Sequence, residues 1–161
     1  MAKAYKPLPA AEELWELFEY KPLTGELVWR KPTSNRVKTG DVVGSPGRNN
    51  GVDVRLHGNL YRAHRLVWRW VTAEDPCDLE LDHINGNRRD NRYQNLRLAT
   101  RAQNMWNISW SGATKMPCGR YYSRIRVGGK PIHLGTFATK GEAEEAYKKA
   151  ALELRGEFAK V

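Results

Sequence analysis

The chain has 161 residues, 40% hydrophobic and 28% charged, enough for one ordinary globular domain or two small ones. A net charge of +9 attracts polyanions, nucleic acid foremost, a signature shared with ribosomal, membrane-surface and heparin-type binding. No run approaches roughly 18 apolar residues, so no membrane span is expected, and the opening MAKAYKPLPAAEE lacks the apolar stretch of a signal peptide.

In chain order, PAAEELWELFEY (9–20) places Leu14, Leu17 and Phe18 at helical spacing, which predicts a short amphipathic helix. A turn at Thr24-Gly25 and a strand over Leu27–Arg30 follow. Residues 31–51, rich in Gly, Pro, Asn and Ser, read as a loop. In VDVRLHGNLYRAH, Val52, Val54 and Leu56 alternate before a turn at His57-Gly58-Asn59, the pattern of a hairpin. RLVWRWV (65–71) reads as a compact apolar helix whose Trp68 and Trp70 belong to the core. Cys77 and Cys118 form no CxxC pair, which argues against a cysteine zinc site; they read as incidental thiols in a reducing cytoplasm.

Beyond residue 110, RYYSRIRV alternates, with Ser123, Ile125 and Val127 on one face and Tyr122, Arg124 and Arg126 on the other. Gly128-Gly129 provides a tight turn and KPIHLGTF the returning strand. Thr139 and Glu142 have the spacing of a capping box. Ala143, Ala146, Tyr147, Ala150, Ala151 and Leu154 then form one apolar helical stripe that closes near Gly156. The expected architecture is α+β in two modules, 1–110 and 111–161. The charge is uneven too: residues 31–70 carry +6 and 111–138 carry +5, with the remaining windows near zero. Two basic blocks imply two separate contacts with one polyanion.

The stretch LDHINGNRRDNRYQNLRLATRAQNMWN (81–107) holds the chemistry. LELDH is strand-like and stops at the turn sequence INGN; Leu96 and Leu98 re-enter as a second apolar piece. Thr100 starts a helix, with Gln103 placed for a capping box and Asn104 one turn inside. The unit, strand, loop, strand, helix, is too small to own a core. The Asp82 carboxylate and the Asn104 amide oxygen are hard donors suited to magnesium or manganese. A neutral His83 imidazole can take a proton from an attacking water, and Arg88, Arg89, Arg92, Arg97 and Arg101 can hold a phosphate backbone. Neighbours on a regular strand point to opposite faces, so Asp82 and His83 share one phosphate only if the strand bends. Asn85, Asn87 and Asn91 read as turn formers. His64 reads as a hydrogen-bonded structural residue or a phosphate contact.

DHINGNRRDNRYQNLRLATRAQNMWN, with YRAHRLVW ahead of it, resembles the HNH endonucleases of phages and group I introns over roughly residues 50–107. The resemblance implies a ββα-metal finger at about 79–108 with an N-terminal hairpin and helix extension, its first strand bent so that both neighbours reach the site. It implies Asp82 and Asn104 as ligands of one Mg2+ or Mn2+ ion, His83 as general base, and Asn95 as the residue that orients the base and braces the loop. Asn104 stands where many members have His. The implied reaction is in-line hydrolysis of double-stranded DNA, homing or nicking in type, leaving 5′-phosphate and 3′-hydroxyl ends.

Residues 111–156 resemble the ethylene-response-factor (APETALA-type) DNA-binding domain in the pieces PCG, IRV, HLGTF and EAEEAYKKAALELRG. That resemblance implies a three-stranded antiparallel sheet on one helix, with the sheet entering the major groove. Arg124, Arg126 and Lys130 become DNA contacts, while His133, Thr114 and Met116 stand where the plant domains have a tryptophan and base-reading arginines. A monomer or homodimer without membrane or obligatory protein partner, at DNA in the cytoplasm of a bacterial host, is expected. The alternative is a non-catalytic DNA-binding regulator that uses the HNH region as a phosphate clamp.

Overall fold

A computed structural model describes residues 7–107 and 112–159. The chain divides into two compact units, Met1–Arg101 and Ala102–Val161. The expected 110/111 boundary falls on residues outside those described.

In the first unit, helix α1 (Ala11–Leu17) buries Ala11, Leu14 and Leu17. The helical periodicity runs on to Tyr20, but the helix stops at Leu17 and strand β1 (Phe18–Lys21) takes over. Phe18 decides this: it is fully buried, meets the Trp29 ring edge-on at 4.8 Å, and pairs with Trp29 across the ladder to β2 (Glu26–Trp29). Tertiary packing here overrides local propensity. The turn between them is closed by the Gly25 N–H donating to the Lys21 carbonyl at 2.8 Å.

A second sheet orders β3 (Ser45–Pro46), β4 (Val52–Leu56) and β5 (Asn59–Arg62), with β4 central. The β4–β5 turn is His57-Gly58, both with positive φ (48° and 73°), the geometry that suits a right-twisted hairpin. Helix α2 (Ala63–Thr72) buries Ala63, Leu66, Val67 and Trp68 and ends in a left-handed Ala73. β6 (Glu80–His83) then pairs antiparallel with β7 (Leu96–Ala99), and α3 (Arg101–Trp106) follows, its residues from Ala102 on belonging to the second unit. One core joins α1, both hairpins and α2, and it also takes in Leu81 of β6 and Leu96 of β7. Each such leucine contributes about 2 kcal/mol by burial, so the β6–β7 pair is anchored on the preceding elements, as its small size requires.

In the second unit, β8 (Ala113–Lys115), β9 (Tyr121–Val127) and β10 (Lys130–Phe137) form an antiparallel sheet with β9 central, and α4 (Lys140–Arg155) packs across it. Gly128 and Gly129 both take positive φ in the β9–β10 turn. The expected capping box forms: Thr139 Oγ1 accepts from the Glu142 N–H, and Glu142 accepts from the Thr139 N–H at 3.1 Å. The helical stripe buries Ala143, Tyr147, Ala150 and Ala151, but Leu154 is exposed and Phe158, just past the helix, is buried instead. Ser123 and Ile125 face α4; Arg124 and Arg126 are exposed. Among the described residues no helix is long and apolar enough to cross a membrane.

Candidate active site

The site gathers where β6 ends. Asp82 and His83 are its last two residues and both are buried, at 4% and 5% exposure. Their side chains reach different partners. Asp82 lies opposite Arg97 in the β6–β7 register, and its Oδ2 accepts from Arg97 Nε at 2.9 Å within an ion pair that is buried on the Asp82 side and half-buried on the Arg97 side. His83 Nε2 lies 3.0 Å from Asn91 Oδ1. A carboxamide oxygen only accepts, so this bond puts the ring proton on Nε2 and the lone pair on Nδ1. Burial, foremost, lowers the pKa of His83, while the Asn91 bond and the Asp82 charge work against that fall. The balance favours the neutral ring, the form a general base needs.

The loop between the strands is shaped by its own side chains. Asn85 Oδ1 accepts from the Asn87 N–H at 2.8 Å, Asn87 Oδ1 from the Arg89 N–H at 3.1 Å, and Asp90 Oδ1 from the Arg92 N–H at 3.3 Å, three successive Asx turns. Asn95 ties both ends together. Its Oδ1 accepts from the Asn85 N–H at 3.0 Å, and its Nδ2 donates to Asn85 Oδ1 at 3.1 Å and to the Asp90 carbonyl at 2.8 Å. These contacts brace the loop; the bond described on the His83 ring comes from Asn91. Arg92 grips Asp90 through Nε at 2.7 Å and Nη2 at 2.6 Å, which holds the Asp90 carboxyl down to about 2.

From α2, His64 presents its ring edge-on to His83, with centroids 5.0 Å apart. Burial first, then the His83 ring and nearby arginines, push His64 down to about 3, so it is neutral at working pH. The β1–β2 hairpin also reaches the loop: the Tyr93 N–H donates to Tyr20 Oη at 2.7 Å. A Cβ on Gly25 would overlap the backbone of Asn91 and Arg92.

The sequence-predicted residues therefore fall into groups. Asp82, His83, Asn95 and the loop arginines share one unit. Arg88, Arg89 and Arg101 are exposed, whereas Arg97 is turned onto Asp82 and Arg92 onto Asp90. Asn104 stands half-buried on α3 in the second unit, as do the exposed Arg124, Arg126 and Lys130 on its sheet. Two residues were missed by sequence reasoning. Asn91 looked like one more turn former, and only its 5% exposure inside an exposed loop sets it apart. Arg97 looked like a phosphate contact because the strand register was not yet known.

Among the described residues no three His, Cys, Asp or Glu side chains cluster, so no closed zinc-type cage is built. The Asp82 carboxylate is a hard oxygen donor of the kind that suits a divalent cation keeping most of its waters.

The strand pair thus carries Asp-His at the end of its first strand, and an Asn-braced loop follows. Residues 61–106 match the family described as HNH endonuclease, and this segment is an HNH endonuclease domain. A protein named as an uncharacterized HNH endonuclease of Acanthamoeba polyphaga mimivirus is 34% identical over 115 residues, which span 68% of this chain and 62% of that relative. No solved structure matches the chain.

Proposed function

We propose that the chain is a divalent-metal-dependent DNA endonuclease with His83 as its general base. The observation that carries this reading is a neutral, buried His83, its Nε2 held by Asn91, beside Asp82 inside an HNH endonuclease domain. In the proposed step, His83 Nδ1 takes a proton from a water that attacks the scissile phosphorus in line. The bond to the 3′ oxygen breaks and that oxygen takes a proton from solvent water, leaving 5′-phosphate and 3′-hydroxyl ends. The exposed Arg88, Arg89 and Arg101 offset charge on the phosphates. Asp82 would hold Mg2+ or Mn2+, and the ion would supply neutralisation of the developing negative charge. Asn95 braces the loop that carries Arg88 and Arg89.

The second unit is proposed to bind duplex DNA through its exposed sheet face, as an ethylene-response-factor-like module. Support comes from its three strands on one helix and from Arg124, Arg126 and Lys130, all exposed. The Arg124 guanidinium lies over the Tyr122 ring, 5.9 Å from its centroid.

The deciding experiment is cleavage of supercoiled plasmid with magnesium at mildly alkaline pH, comparing wild type and His83→Ala, each with and without EDTA. Relaxed or linear product that needs metal and disappears in the variant supports the proposal. DNA that is bound but never cut, by wild type on a broad plasmid library, makes the phosphate-clamp regulator the better account.

A further inference from the structure

The β1–β2 hairpin lies outside the segment that matches the nuclease family, yet it is mounted against the loop that holds the base. Its own placement is fixed by the core. Phe18 is packed against Trp29, the Trp70 indole N–H donates to the Phe18 carbonyl at 3.2 Å, and the Tyr20 ring lies 5.7 Å from the Trp70 ring. From this mount Tyr20 Oη accepts the Tyr93 N–H at 2.7 Å, and Gly25 sits so close to Asn91 and Arg92 that no side chain fits between. Gly25 has φ +79°, so its turn geometry and its close approach both call for glycine.

Asn91 is the residue whose Oδ1 meets His83 Nε2. Two contacts from the hairpin therefore hold the backbone at residues 91–93, directly beside the side chain that fixes the ring's tautomer. We propose that the hairpin is a positioning element of the active site, in which Tyr20 and Gly25 act on His83 through Asn91. The inference rests on the reading of His83 as the base. A displacement of Asn91 by a few tenths of an ångström lengthens its bond to Nε2 and loosens the preference for a lone pair on Nδ1. The hairpin thus acts on turnover through the base, since its two contacts fall at residues 91–93, past the exposed Arg88 and Arg89.

Tyr20→Phe tests this in the full chain, because it removes the acceptor for the Tyr93 N–H and keeps the ring. Gly25→Ala is the stronger perturbation. Val54→Ala, in β4 away from the loop, is the control for lost stability. All are assayed where circular dichroism shows full folding, by turnover on supercoiled plasmid with magnesium and by NMR exchange of the His83 Nε2 proton. Expected for Tyr20→Phe is a roughly fivefold fall in kcat, about one hydrogen bond's worth, with KM changed less than about twofold. The Nε2 proton should exchange several-fold faster, and Val54→Ala should alter neither. Wild-type kcat and exchange in Tyr20→Phe, or an equal loss in Val54→Ala, overturns the proposal. If wild type cuts nothing, the nuclease reading falls, and the exchange rate alone decides for or against the hairpin's hold on His83.

Discussion

Replacing Arg97 by Met removes the guanidinium from a pair whose side chains are only 12% (Arg97) and 5% (Asp82) exposed. Met fills much of the volume but leaves a carboxylate in the interior stripped of its Arg97 charge. Removing one partner of a buried pair costs about 3–5 kcal/mol, a large share of the roughly 5–15 kcal/mol that holds a domain folded. With a urea dependence of about 1.5 kcal/mol per molar for a unit of this size, the unfolding midpoint should fall by roughly 2–3 M. Tryptophan fluorescence is a suitable probe, since Trp29 and Trp68 lie in the same core. Two companion measurements sharpen the test. Asp82→Asn combined with Arg97→Met should recover most of the loss, because neither charge remains. Magnesium or manganese should restabilise Arg97→Met more than wild type, since a cation at Asp82 replaces the missing charge; at a hundred times its Kd it returns about 2.7 kcal/mol. A loss under about 1 kcal/mol, indifferent to metal and to the second substitution, would refute the reasoning that Arg97 neutralises a buried carboxylate.

Acid should destabilise the protein well above the carboxylate range. His64 is held down to about 3 when folded and titrates near 6.5 when unfolded. Between those values the unfolded chain takes a proton that the folded chain refuses. Its contribution is thus full above about pH 6.5 and is lost as pH falls, by about 2 kcal/mol at pH 5. Urea midpoints at pH 7.5 and 5 should show this slope, and His64→Gln should flatten it. Changing Arg124, Arg126 and Lys130 together to Ala should lower the slope of log K against log salt for duplex DNA by about 2.7 if all three meet phosphates; an unchanged slope removes the sheet face from the interface. Ile125→Ala, at a site 1% exposed beneath α4, should cost the C-terminal unit about 2–5 kcal/mol, read from amide exchange in β9 and β10.

Much of the fold could be read from periodicity, because alternation and helical spacing are local signals. The β4–β5 and β9–β10 hairpins, α2, and the capped α4 stand where the pattern places them. The failure at Phe18 has a physical cause. A helical run and a buried strand start share the same apolar residues there, and only the partner Trp29 breaks the tie. The candidate site divides in the same way. Asp82 and His83 stand out because their chemistry is distinctive, whereas Asn95 entered only through the family resemblance. Arg97 as the mate of Asp82 requires the β6–β7 register, which the twelve-residue loop 84–95 leaves undetermined in sequence. Asn91 is one asparagine among many until burial singles it out, and Tyr20 and Gly25 reach the loop only through tertiary contact.

The Asx-turn loop also bears on chemical ageing. Asn85-Gly86 is the dipeptide in which an asparagine amide is most open to attack by the following backbone nitrogen, because glycine offers no side chain in the way. Here that nitrogen is engaged, donating from Gly86 to the His83 carbonyl at 2.7 Å, and the Asn85 amide is held through both its oxygen and its nitrogen. Once the loop opens, that protection is gone. The resulting aspartate could not refit, since its carboxylate would stand where Asn85 Nδ2 now donates to Asp90 at 2.8 Å, one anion against another. The protein's useful life in storage is therefore tied to how rarely this loop unlatches, and a single hydrolysed amide would register as a damaged site long before the rest of the fold showed wear.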